Sequence, residues 1–227
     1  WSSDVCSSDL DQQWLASVAL ALLHAAGGWP LLVVVRAALL GLLSALVYRA
    51  GRVAGASVRT SALLVLGAFV IASPGFGMRP QLFGAIAFAA VQLLLLDRAA
   101  HPRRLALIPI ITVLWANLHG SFVFAPLLVL AAFGEDRLAG RAPVARRTGW
   151  IGLLTVAATL VDPWGPAIWG YALSIASSAT VRTWIQEWQP ADPTHLGGAL
   201  FWLSVVAMGA LVAAALRRWA RRDGLAA

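Results

Sequence analysis

The chain has 227 residues, 60% of them hydrophobic and only 12% charged, and its formal net charge of +7 rests on 17 Arg with no Lys. Soluble domains carry roughly 25% charged residues, so this composition excludes an ordinary soluble domain and points to a membrane protein. Nucleic-acid binding is not expected either, because the Arg residues flank apolar segments instead of forming one patch, and the lone Cys6 excludes an internal disulfide framework.

Residues 1–10, Trp1-Ser2-Ser3-Asp4-Val5-Cys6-Ser7-Ser8-Asp9-Leu10, read as the conceptual translation of a common short-read library adapter. Their polar composition breaks abruptly from the apolar sequence beyond them, so they are set aside from the fold. On this reading the native sequence begins near Asp11 and its true N-terminus is missing. Residues 11–30 then form the end of an external loop and a helix too short to cross a bilayer, broken at Gly27-Gly28-Trp29-Pro30. Trp14 and Trp29 suit an interfacial helix at headgroup level.

Apolar segments follow at 31–48, 60–74, 81–96, 105–117, 121–134, 149–161 and 198–216. No strand-like alternation interrupts them, so they are predicted to be helices, which satisfy their own backbone groups in lipid. Four Arg tracts lie between them: Arg49/Arg52/Arg59, Arg98/Arg103/Arg104, Arg137/Arg141/Arg146/Arg147 and Arg217/Arg218/Arg221/Arg222. Short Arg-rich loops stay cytoplasmic, which fixes about seven crossings and leaves only Arg36, Arg79 and Arg182 elsewhere. The expected fold is therefore an all-α polytopic transmembrane bundle, 31–216, with an interfacial N-terminal helix, a short external helical stretch within 162–197 and a basic cytoplasmic tail at 217–227. A cell membrane, crossed several times, is the expected location.

The run 105–134 tests that topology. One long helix would put two Arg tracts on opposite faces, so two short helices meeting at Asn117-Leu118-His119-Gly120 are predicted. Each would be only about 14 residues long, which sets the turn below the outer membrane surface in a protein-lined recess.

Nearly every other polar group then gathers at the external face. Asn117, His119 and Ser121 cluster at the turn and either cap broken helices or contact a ligand. Arg79 lies outside, against the positive-inside bias, beside Pro80 and Gln81 at a helix start. Forked guanidinium donors and a helix N-terminus both favour a phosphate. Asp11, Asp162, Glu187 and Asp192 are external carboxylates suited to act as a base. Asp162 before Pro163 equally fits a turn residue. Glu187 beside Trp184 and Trp188 suits a sugar site, although Trp also anchors headgroups. His119 has no metal-ligand partner at a suitable spacing, so no metal site and no cofactor is assigned; a divalent metal stays compatible with the chemistry.

Six blocks in order carry a resemblance: Asp11-Gln12-Gln13-Trp14-Leu15, Gly27-Gly28-Trp29-Pro30, Arg79-Pro80-Gln81-Leu82-Phe83, Trp115-Ala116-Asn117-Leu118-His119-Gly120-Ser121-Phe122, Asp162-Pro163-Trp164-Gly165 and Glu187-Trp188-Gln189-Pro190. Together, over 11–216, they resemble bacterial polytopic proteins grouped with Rgt-like glycosyltransferases of the GT-C superfamily. More distantly they are similar to the protein O-mannosyltransferase and aminoarabinose-transferase group. The resemblance implies sugar transfer from a polyprenyl-phosphate donor at the external face, with an acidic base in the first external loop. That loop is almost wholly absent here, so Asp11 is at most a remnant acidic position, the principal acid is expected upstream, and this fragment is expected to be inactive. The implied substrate-binding set is Arg79, Gln81, Asn117, His119, Glu187 and Trp188, with membrane lipids as further partners. Asp162-Pro163-Trp164-Gly165 departs from the Asn-Pro-Tyr-Gly expected of the group. Two other classes compete: a lipid or sugar transporter or flippase, and a non-catalytic membrane subunit. Transporters tend to show repeated halves, and no repeat is visible.

Overall fold

The computed structural model describes residues 12–73, 77–178, 183 and 190–223. Regular structure among the described residues is entirely helical. The α-helices are α1 (Trp14–Val53), α2 (Val58–Ala72), α3 (Gln81–Leu96), α4 (Leu107–Leu118), α5 (Phe124–Leu138), α6 (Ala142–Ala158), α7 (Ala167–Ser177) and α8 (Leu196–Asp223). Short 3-10 turns at Pro102–Ala106 and Gly120–Val123 lead into α4 and α5. The chain divides into two compact units, Trp1–Leu66 with Phe76–Ser178, and Gly67–Gly75 with Ala179–Ala227.

In the first unit α4 is the central helix, packed by α1, α3 and α6. Its buried residues Ile108, Thr112, Trp115 and Ala116 recur at helical spacing and form one face. On α3, Gly84, Ala87, Val91 and Leu95 form the matching face, and α5 contributes Ala125, Val129 and Ala132. α5 and α6 pack as a hairpin, while α1 lies along α3. Four fully buried threonines, Thr112, Thr148, Thr155 and Thr159, sit within this packing. Each hydroxyl donates to a carbonyl three or four residues back, at 2.8, 3.0, 2.7 and 2.7 Å. That local bond removes the cost of burying a hydroxyl.

Outward faces are as apolar as the inward ones. Val33, Val34, Leu63, Leu64, Leu127, Leu130, Leu153 and Leu154 are all exposed. α1 and the Leu196–Ala214 part of α8 are long and apolar enough to cross a membrane. The helices α2 to α6 have 15, 16, 12, 15 and 17 residues, short of the ~20 that a bilayer core asks of a single helix. Length and composition thus single out two helices with the capacity to span.

Several predicted boundaries shift for identifiable reasons. The interfacial helix and the first span run on as α1, but the break remains: Gly28 takes φ 60, ψ −156. Only glycine occupies that region without strain, and Pro30 cannot donate to the ladder across it. The 105–134 run does split, because His119 is extended at φ −162, ψ 139. α6 starts at Ala142, seven residues before the apolar segment, with proline in its first turn, a position where the missing N–H costs nothing. α8 continues as a helix to Asp223 through the Arg tract read as a separate tail; Arg is a good helix former. In the second unit, the Trp202 indole donates to the Ala191 carbonyl at 2.8 Å, tying the segment before α8 back onto it.

Candidate functional site

The two ends of the first unit differ in chemistry. At one end, two residues past α3, stands Arg98, whose side chain is only 7% exposed and meets Asp136 of α5, which is fully buried. The pair is bidentate, Nε to Oδ2 at 3.0 Å and Nη2 to Oδ1 at 2.8 Å. Arg98 Nη1 also donates to the Leu95 carbonyl, and the Thr148 hydroxyl shares its one proton between the Val144 carbonyl and Asp136 Oδ2. Glu135 and Arg141 complete the cluster, Arg141 Nη2 lying 2.8 Å from Glu135 and 3.0 Å from Asp136. Burial alone raises the Asp136 carboxyl, but the Arg98 fork, the Thr148 hydroxyl and the Arg141 charge outweigh it and hold it below the ordinary value. Beside the cluster, Asp97 pairs with His101 and Arg104 at 2.8 and 2.9 Å. The His101 hydrogen bond is the main reason its carboxyl is lowered.

The opposite end holds a neutral, hydrogen-bonded turn. Asn117, 6% exposed, ends α4 and uses its amide fully. Its Nδ2 donates to the Val113 and Val161 carbonyls, both at 2.8 Å, and its Oδ1 accepts from the Trp14 indole at 2.9 Å. One side chain thereby joins the start of α1, the end of α4 and the end of α6. Two residues on, the Ser121 backbone N–H donates to His119 Nδ1 at 3.1 Å. Nδ1 is therefore an acceptor, which puts the ring proton on Nε2. The Ser121 hydroxyl, 2.7 Å from the same nitrogen, donates to it and accepts from the Trp115 indole at 3.0 Å. Trp115 thus orients Ser121, and Ser121 orients His119.

Glycines make room for this turn. A Cβ on Gly84 of α3 would lie 2.7 Å from Ser121 Oγ and 2.9 Å from His119 Nδ1, so α3 approaches only because residue 84 has none. A Cβ on Gly120 would collide with the Gln12 amide. Gln12 is buried, and its Oε1 has no hydrogen-bond partner. Asp162, one residue beyond the Val161 carbonyl that Asn117 holds, accepts from the Trp164 N–H through Oδ1 at 2.9 Å, while buried Oδ2 has no partner. Burial raises the Asp162 carboxyl, against the smaller pull of that N–H.

Of the predicted site residues, Asn117 and His119 share this turn. Arg79 is exposed in the bend before α3, and half-buried Gln81 is the first residue of α3. Gly84 lies five residues past Arg79 in the sequence. Asp11, Glu187 and Trp188 lie outside the described residues. Gln12 and Gly84 join the site without having been singled out for it, and Asp162 joins it as one of the external carboxylates the sequence offered. The signal available for Gln12 and Asp162 was polarity at an apolar boundary; nothing in the sequence distinguishes Gly84 from its fellow glycines. No group of three or more His, Cys, Asp or Glu that could hold a metal ion occurs among the described residues. No family model, curated protein or solved structure matches the chain.

Proposed function

We propose that the chain is part of a multi-pass bacterial inner-membrane protein of GT-C type that transfers a sugar from a polyprenyl-phosphate donor at the external face. The observation that carries this reading is the chemical split between the ends of the first unit. Ion-paired Arg side chains gather at one end. At the other stand a neutral His, an Arg outside the positive-inside pattern and two buried acceptor oxygens lacking partners. Buried acceptors without donors cost about 1–3 kcal/mol each unless a ligand supplies the donor. Seven crossings would be completed by short helices whose polar flanks extend them toward the headgroups.

The reaction is a displacement with inversion at the anomeric carbon. The acceptor hydroxyl oxygen bonds to that carbon as its bond to the phosphate oxygen breaks, and the polyprenyl phosphate leaves. The acceptor proton passes to a carboxylate. Asp162 is the carboxylate we assign to that role, since its Oδ2 is uncommitted and its raised carboxyl is a stronger base than an ordinary aspartate. Arg79, at the start of α3, meets the charge developing on the phosphate, and His119 offers its Nε2 proton as a second donor. Asn117 positions these groups, its own donors being spent on Val113 and Val161.

Transfer of radiolabelled sugar from a polyprenyl-phosphate donor, in membranes carrying the whole protein, tests this. Transfer abolished by Arg79→Ala and by Asp162→Asn is expected. Unchanged transfer and donor binding in Arg79→Ala would dispose of the phosphate role. Sugar counterflow in liposomes without transfer would identify a transporter instead.

A further inference from the structure

A second site lies at the Arg-rich end, on the outward face of the α5–α6 hairpin, as an open groove of about 620 Å³. Arg137 and Arg146 line it together with Phe133, Gly149, Trp150 and Leu153. Their order along the helices is informative. On α6 the lining positions 146, 149, 150 and 153 form one helical face, and on α5 positions 137 and 133 do the same. The cations stand nearest the 139–141 connection. The apolar residues lie one to two turns further along, roughly 5–10 Å deeper at 1.5 Å per residue. A Cβ at Gly149 would press on the Phe133 ring at 3.3 Å, so this glycine lets the two helices close beneath the groove.

The local charge balance leaves these two Arg residues available. Arg98 and Arg141 are matched by Glu135 and Asp136, two cations to two carboxylates. Arg137 and Arg146 are exposed and form no ion pair among the described residues. Two unmatched guanidinium groups at the mouth of an apolar groove, with an exposed Trp beside them, complement one kind of molecule: a phosphate carrying a hydrocarbon chain. Arg forks bind phosphate oxygens in pairs, and Trp prefers headgroup depth.

We infer that this groove holds an anionic diacyl phospholipid of the cytoplasmic leaflet, its phosphate between Arg137 and Arg146 and an acyl chain along Phe133 and Leu153. The site is separate from the external one and rests on the membrane reading alone, not on sugar transfer. Arg147 follows Arg146 on α6, is also exposed and does not line the groove, so it serves as a charge-matched control.

Native mass spectrometry of the whole chain released from nanodiscs tests the assignment, with phosphatidylglycerol and phosphatidylcholine supplied in equal amounts. Retained phosphatidylglycerol should exceed phosphatidylcholine roughly 30-fold, the combined effect of two Arg residues near a leaflet surface. Arg137→Gln with Arg146→Gln should bring the ratio close to one, and Arg147→Gln should leave it nearly unchanged. Glycerol 3-phosphate, which has the headgroup without the chains, should not be retained. Because the substituted residues are exposed, the fold should survive; the single Arg146→Glu variant, with an intermediate or lower ratio, guards against a double variant that misfolds. An equal loss in Arg147→Gln, or no preference in the parent chain, overturns the groove assignment. A chain that fails to enter phosphatidylcholine nanodiscs at all overturns the membrane reading beneath it, a distinguishable result.

Discussion

The two ends of the first unit handle buried polarity in opposite ways. At the Arg98 end, full charges are buried and each is met by an opposite charge in close geometry. At the Asn117 end neutral amides, an imidazole and a hydroxyl satisfy one another, and two oxygens are left over. The first arrangement fixes structure, because a buried ion pair is rigid and intolerant of losing one partner. The second leaves capacity, because neutral groups exchange partners at modest cost. The contrast separates a clamp from a site on physical grounds alone.

The sharpest way to break this comparison is Asp136→Ala. Arg98 would remain buried with only the Glu135 carboxylate beside it, 2.9 Å away on a side chain that is 63% exposed and solvated. Loss of one member of such a pair costs about 3–5 kcal/mol, visible as a much earlier unfolding transition of the detergent-solubilised chain. Replacing Arg98 and Asp136 together with Met and Leu should recover most of that loss. If Asp136→Ala were no worse than a surface substitution, the clamp description would fail.

Next in size is Gly84→Val, which inserts three carbons where even one lies 2.7 Å from Ser121 Oγ. Overpacking of this kind costs about 1–3 kcal/mol, and it should also displace His119. Activity and stability should therefore fall together. Gly84→Ala, with a smaller clash, should fall between Val and the parent. At Gly67, where an added Cβ meets nothing within 4 Å, the same substitution should be nearly silent.

Much of the neutral end is legible in the sequence, and little of the charged end is. A turn at 117–120 follows from the conflict between one long apolar run and two Arg tracts, and a break at Gly27–Pro30 follows from residue type. α3 begins and ends where its apolar segment does, because Pro80 and Asp97 bound it. The Arg98–Asp136 pair escapes such reasoning. Topology counting treats every Arg as a solvated loop charge, and 38 residues separate the partners. Nothing local marks Arg98 as buried and Arg103, five residues on, as exposed. Gly84 is hidden for a related reason: its role is the absence of an atom, felt only once α3 and the 119–121 turn are in place. Where a helix outran its apolar segment, as α6 and α8 did, propensity and first-turn chemistry extended it into polar sequence.

Asn117→Ala probes the neutral end with a smaller effect. It frees the Trp14 indole and uncouples the Val161 carbonyl from α4, at about 1–3 kcal/mol for the buried groups left unmet. Asn117→Asp should behave differently from Ala, since it retains the acceptor for Trp14 but offers no N–H to Val113 or Val161. A double-mutant cycle with Trp14→Phe isolates the indole bond. Strict additivity would mean that it couples nothing.

The finest test uses pH, where the two ends should respond with opposite sign. Asp97 and Asp136 have lowered carboxyls when folded. Their contribution to stability is complete above the ordinary value of 3.8 and is lost as pH falls through the folded values. Asp162 runs the other way. Its carboxyl is raised when folded, so ionising it opposes folding, and that penalty appears as pH rises from the ordinary carboxylate value through the folded one. Asp162→Asn should therefore leave acid stability alone and slightly stabilise the chain near neutrality. In a protein that transfers sugar it should also remove the acidic limb of the pH–rate profile along with the activity. An Asp162→Asn variant less stable at neutral pH than its parent would assign the carboxylate to the Trp164 turn, and the external end would then have to find its base elsewhere.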